Sequence, residues 1–194
     1  MSDIVLVKIG GSLMRSNAAV RLLERWPRSP GTRHIVVPGG GIFADAVRTG
    51  QAELGFSDAT AHRLALMAME MSGRVLTDST PGFVCASTLP EFADAWNGGL
   101  TPVWTPIALV AVAPEIAQTW DVTSDSLAAW LAARVAATRL VVVKSCVVPD
   151  GMGQDAAGLA TAGIVDPSFP RYVAGQTFRW SIATGADDAL DQMR

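Results

Sequence analysis

Ile4-Val5-Leu6-Val7 and Leu140-Val141-Val142-Val143 are two aliphatic runs with no polar residue in alternation. A strand with one wet face alternates apolar and polar side chains; a strand that does not alternate must be covered on both faces. Such strands belong to parallel sheets, whose crossover connections supply helices to both sides. The rest of the chain fits this. Residues 3–9, 34–38, 83–86, 102–104, 139–144 and 178–183 read as strands. Residues 17–26, 42–54, 59–72, 89–96, 124–136 and 186–193 read as helices, the fifth with Leu127, Trp130, Leu131 and Val135 as its apolar stripe and Thr123 as its cap. Alternating strands and helices predict an α/β fold, a three-layer αβα sandwich around a mostly parallel sheet.

The 194 residues suit one domain, and 49% hydrophobic against 17% charged residues means that much of the chain is buried. A net charge of −3 gives no basic footprint for nucleic acid. Asp, Arg, Gly or Pro interrupts every apolar run before it reaches membrane-spanning length. The start, Met-Ser-Asp-Ile-Val, lacks the basic region of a signal peptide. Cys85 and Cys146 have neither metal-binding nor redox spacing and read as reduced, buried thiols. A cytoplasmic protein is expected.

Both aliphatic runs end in lysine, at Lys8 and Lys144, and these are the chain's two lysines against thirteen arginines. Lysine kept at two strand ends in an arginine-biased sequence points to a need for a compact, mobile point charge, as at a phosphoryl group. Gly10-Gly11-Ser12 follows the first strand and Gly39-Gly40-Gly41 the second. Glycine turns between a strand and a helix bring backbone amides toward an anion, and ligands of open α/β sheets lie at the strands' carboxyl ends. Glycine at a strand exit is also ordinary turn chemistry. Neither loop is a Walker A or GxGxxG sequence. Asp121 to Ser126 opens a helix with Ser124 and Asp125 in its first turn. Asp125 either complements the helix dipole or serves as the anion that a strand-end lysine needs. Lys144 is followed by Ser145 and an Asp150-Gly151 turn, with Asp166 further on. Arg48 either binds an anionic substrate or lays its stem along the surface. His62, on the methionine-rich helix, reads as a core or interface residue.

Lys8-Ile-Gly-Gly-Ser-Leu13, Pro38-Gly-Gly-Gly41 and Thr123-Ser-Asp-Ser-Leu127, in this order, resemble the amino acid kinase superfamily of aspartate, acetylglutamate, carbamate and uridylate kinases. The wording of 38–48, 61–65, 120–127 and 163–170 is most similar to its small methanofuran-biosynthesis branch, which phosphorylates an aminomethylfuran methyl phosphate to the diphosphate. The resemblance implies an ATP- and Mg²⁺-dependent kinase of a small phosphate-bearing substrate, assembled as a homodimer or higher homo-oligomer. It implies Lys8 and Asp125 as catalytic residues. Gly10, Gly11, Ser12, Gly39, Gly40, Gly41, Arg48 and Ser124 would bind phosphate and substrate, and Lys144, Ser145, Asp150, Gly151 and Arg171 the nucleotide. The acceptor side would be formed by 1–122 and the nucleotide side by 123–194 of one domain. The sequence departs from the family on the nucleotide side: Lys144-Ser-Cys-Val-Val-Pro-Asp-Gly151 stands where Asp-Val-Asp-Gly is common, and no lysine follows Lys144.

Overall fold

The computed structural model describes residues 3–27, 31–149 and 151–193. Its strands are β1 (Asp3–Ile9), β2 (Thr32–Pro38), β3 (Phe83–Ala86), β4 (Thr101–Trp104), β5 (Arg139–Lys144) and β6 (Arg179–Thr184). Its helices are α1 (Ala18–Glu24), α2 (Gly41–Leu54), α3 (Asp58–Ser79), α4 (Leu89–Asn97), α5 (Ile107–Val110), α6 (Ser124–Arg134), α7 (Ala156–Thr161), α8 (Phe169–Val173) and α9 (Ala186–Met193). The strands form one sheet in the order β3-β4-β2-β1-β5-β6. Every pairing is parallel.

The two aliphatic strands lie side by side at the centre, with Lys8 opposite Val142. Alternation along each strand feeds two cores. Leu6, Ile35, Val37, Leu140 and Val142 face Leu127 and Leu131 of α6, together with Phe92, Trp104 and Phe169. Val5, Val7, Val36, Val141 and Val143 face Leu22 and Leu23 of α1 and Leu190 and Met193 of α9. Lys8 and Lys144 fall in the same alternation as Leu6 and Val142, so both point to the α6 side. No described helix is long and apolar enough to cross a membrane.

Several elements differ from the sequence expectation for local reasons. Helix α3 runs to Ser79 rather than stopping at 72, because Gly73 lets it cross the sheet closely: a Cβ there would lie 3.4 Å from Val103 and 3.6 Å from Pro38. Helix α6 stops at Arg134, with Ala136 in the left-handed region at φ 51°. It is buried on all sides from Asp125 to Ala132, so its stripe is wider than periodicity suggested. Cys146 is exposed and Cys85 half-buried, so neither is the buried thiol expected; Cys146 follows the end of β5, where the chain leaves the core.

His34 lies on the α1–α9 side, edge-on to Trp26 with ring centroids 5.5 Å apart. Burial, aided by the Arg139 charge, pushes its pKa from 6.5 down to about 4. Between those values the unfolded chain holds the extra proton, so stability falls as pH drops from about 6.5 to about 4. The full effect is about 3 kcal/mol. His34→Phe preserves the ring contacts and is expected to flatten this decline when urea midpoints at pH 7 and pH 4.5 are compared.

Candidate phosphoryl-transfer site

The chain runs outward from β1 to β2 and on to the β3 edge, then returns to add β5 on the other side of β1. The carboxyl ends of β1 and β5 therefore flank a topological switch point, where open α/β sheets bind ligands. The loops are tied together there. The Gly10 amide donates to the Val143 carbonyl at 2.9 Å, the Gly39 amide donates to the Ile9 carbonyl at 2.8 Å, and the Ser12 and Ser145 hydroxyls share a hydrogen bond of 2.7 Å.

Asp125 lies between the two lysines. Its Oδ1 is 2.7 Å from Lys8 Nζ, and its Oδ2 accepts a 2.7 Å hydrogen bond from Lys144 Nζ. The Lys8 contact is an ion pair without the angular geometry of a good hydrogen bond. Lys8 and Asp125 are each 3% exposed, and Lys144 reaches partly into solvent. Two ammoniums share one carboxylate, so the cluster carries a surplus positive charge at the switch point. Burial first, then repulsion from Lys144, brings the Lys8 pKa from 10.5 down to about 8, against the opposing pull of Asp125. The two lysines hold the Asp125 carboxyl below its ordinary value although burial alone would raise it.

Asp125 owes its position to a carboxylate the sequence reading left without a role. Thr123 stands at the N-cap of α6, but its side chain does not cap the helix. Asp166 does so from 43 residues away: Oδ2 accepts from the Thr123 amide at 2.9 Å, the Thr123 hydroxyl at 2.8 Å and the Ser126 amide at 3.0 Å, while Oδ1 accepts from the Ser126 hydroxyl. The capped first turn fixes Asp125 beneath both strand ends.

Beside the lysines, the two glycine loops and α6 enclose a cleft of about 320 Å³. Gly11, Ser12, Gly39, Gly40, Gly41, Arg48 and Ser124 line it; Gly10, which the sequence reading grouped with them, does not. Arg15, which that reading passed over, lines it too. Both arginines converge on Asp45: Arg15 in a short contact and Arg48 at 3.4 Å. The Arg48 guanidinium also lies 4.3 Å from the centroid of Trp120, whose Nε1 donates to Gln51 Oε1 at 2.6 Å. The spacing of Arg15 in its 3-10 turn, three residues after Ser12, was the available signal. A wider cleft of about 610 Å³ lies at the amino-terminal ends of β2, β3 and β4, around Trp26, Arg33 and Phe83; it is at the wrong end of the strands for the glycine loops.

The glycines also have a packing role that the sequence reading did not foresee. A Cβ on Gly11 would come within 2.6 Å of the Gly41 nitrogen, and one on Gly39 within 2.6 Å of the Gly11 nitrogen. They let the two loops pack on each other, with Gly10 committed to Val143. At Gly40 a Cβ would lie 2.6 Å from the Ala44 Cβ and 3.3 Å from that of Ala68. Gly40→Val therefore clashes with α2 and α3. It is expected to cost about 1–3 kcal/mol as overpacking, measured as a fall in urea midpoint without ligand.

On the other side of β5, Ser145 is exposed and shares its hydroxyl hydrogen bond with Ser12, and Gly151 turns the chain at φ 78°. Asp150 lies outside the described residues. Arg171 is exposed on α8 and does not line the cleft.

The comparisons agree with this architecture. Residues 3–146 match the amino acid kinase family. Over 128 residues, 65% of this chain, it is 27% identical to the [5-(aminomethyl)furan-3-yl]methyl phosphate kinase of Methanocaldococcus jannaschii, and the match spans 58% of that protein's length. The fold is similar to the uridylate kinase of Archaeoglobus fulgidus, with TM-score 0.71 and 14% identity over 98% of this chain and 95% of that one. It is also similar to the UMP kinase of Ureaplasma parvum, with TM-score 0.68 and 15% identity over 100% and 97%. With two lysines on one buried aspartate at the switch point, two interlocked glycine loops beside them and a family match across most of its length, the chain belongs to the amino acid kinase family.

Proposed function

We propose that the protein is an ATP-dependent kinase whose acceptor is a small phosphate monoester, with the phosphate of an aminomethylfuran methanol as the best candidate. The observation that carries this reading is the surplus positive charge of Lys8-Asp125-Lys144 beside a cleft with two arginines of its own. An acceptor bearing a phosphate gives Arg15 and Arg48 an anion to bind in place of Asp45. An acceptor oxygen of that phosphate attacks the γ-phosphorus in line, the bond to the ADP oxygen breaks, and a diphosphate and ADP leave. A phosphate is already ionised at neutral pH, so no general base is required. Lys8 and Lys144 neutralise charge spread over the transferred group, and Asp125 keeps them in place.

Among the described residues, no group of three or more His, Cys, Asp and Glu stands ready to hold a metal. In this reading Mg²⁺ comes with the donor phosphates. The M. jannaschii protein's printed activity supports the furan acceptor. A homodimer belongs to the same reading: Met67, Met71 and Val75 recur every four residues on α3 and are 51%, 47% and 43% exposed.

A second reading is a non-catalytic anion-binding subunit. The absence of any lysine after Lys144 and the position of Arg171 outside the cleft favour it. Incubation with ATP, Mg²⁺ and a panel of phosphate monoesters, followed by phosphorus NMR, decides. The kinase reading expects a new diphosphate with stoichiometric ADP; anion binding with no ADP from any acceptor leaves the binding subunit.

A further inference from the structure

A cavity of about 20 Å³ adjoins the acceptor cleft and shares Ala65, Met69, Trp120 and Thr123 with it. That volume admits one water-sized group. The polar side chains of its wall are engaged, with one exception. Trp120 donates to Gln51, Thr123 donates to Asp166, and the Thr119 hydroxyl accepts from the Asp121 amide. The exception is His62, which is 4% exposed and whose Nε2 has no hydrogen-bond partner. The imidazole has the Thr119 carbonyl within hydrogen-bonding reach. In the tautomer that donates from Nδ1 toward this carbonyl, Nε2 presents a bare lone pair. Burial lowers the pKa of this histidine, which keeps the ring neutral. A buried acceptor with no donor is unfavourable by about 1–3 kcal/mol, and a ligand that brings a donor recovers it.

We infer that His62 Nε2 reads a hydrogen-bond donor, an amine or hydroxyl of about the size of water, on the end of the acceptor remote from its phosphate. The inference rests on the acceptor-cleft reading above. The phosphate end lies against Arg15 and Arg48, and the donor end enters the small cavity. Leu66, Val122 and Leu127 supply its remaining wall, so an acceptor without the donor leaves Nε2 unpaired in apolar surroundings. A site built this way discriminates strongly against the analogue that lacks the group.

The chain's two histidines make the test direct, since His34 lies on the opposite face of the sheet. The intact protein, labelled with nitrogen-15 in histidine, is titrated with [5-(aminomethyl)furan-3-yl]methyl phosphate and with its analogue carrying methyl in place of aminomethyl. Calorimetry gives both affinities. The expected result is a shift of the His62 Nε2 resonance with the amine compound alone, and binding at least ~10-fold tighter than for the methyl compound. His62→Phe should abolish the preference, and His62→Gln, which keeps an acceptor, should recover part of it. Equal binding of the two compounds, no binding of either, or an unmoved Nε2 overturns the inference. Binding through His62 without any turnover refutes the kinase reading alone; turnover without preference refutes the role of His62 alone.

Discussion

Asp125→Asn is expected to lower the unfolding free energy by about 3–5 kcal/mol, the range for breaking a buried ion pair from one side. Complementing the dipole at the start of α6 would account for only about 0.3–1 kcal/mol, so the size of the loss separates the two roles. Asparagine matches the shape of the carboxylate and leaves two ammoniums facing each other at the ends of β1 and β5. Lys8, already brought to about 8, then loses its proton at neutral pH, which limits the loss of stability but removes the charge proposed to serve the phosphoryl group. The variant should regain stability as pH rises toward 10.5, because in that window the unfolded chain holds the Lys8 proton and the folded one does not. Urea unfolding at pH 7 and pH 9, with steady-state rates on the same preparations, measures both effects. A loss below about 1 kcal/mol with unchanged turnover would reduce Asp125 to a helix-end residue.

Lys8→Met is the complementary change and is expected to spare the fold while removing the chemistry. Methionine follows the lysine stem into the α6 side of the sheet, and Asp125 keeps its bond to Lys144 Nζ. Relief from burying Lys8 offsets the lost pair, so stability should change little. Turnover should fall by at least ~100-fold, on the order of 3 kcal/mol of lost charge stabilisation in a preorganised site. The parent enzyme should also lose kcat/KM as pH rises through about 8, where Lys8 deprotonates, and the residual rate of the variant should lack that limb. Near-normal turnover in Lys8→Met would remove Lys8 from the reaction.

The sheet was legible because its signals are local. Leu140 to Val143 has one reading as a strand buried on both faces, and Lys8 and Lys144 stand out by residue type and by position. What tertiary contacts decide was not legible. The cap of α6 comes from Asp166, so Thr123 had every local mark of a cap without being one. The glycines of the two loops were recognised as turns next to a site, but their partners are each other's backbone, which no single stretch of sequence displays. Short α7 and α8 were hidden among glycines and prolines, although Asp155 caps α7 through the Gly158 amide at 2.9 Å and a proline sits in the first turn of α8. Arg15 and Arg48 meet only because the loops interlock and bring Asp45 between them.

The hydroxyl bond between Ser12 and Ser145 joins positions 133 residues apart. Synthesis therefore delivers β1, both glycine loops and α2 long before the second lysine exists. Until β5 emerges, β1 has an open edge of aliphatic residues, which is a template for pairing with another chain. Lys8 at that stage lacks the neighbours that lower its pKa and behaves as an ordinary, fully charged lysine. The Lys8-Asp125-Lys144 cluster closes only once β5 has emerged, in the same step that covers the sticky edge. The same strand that completes the electrostatics protects the nascent chain, so a ribosome that stalls before β5 releases a product that is both inert and prone to aggregate.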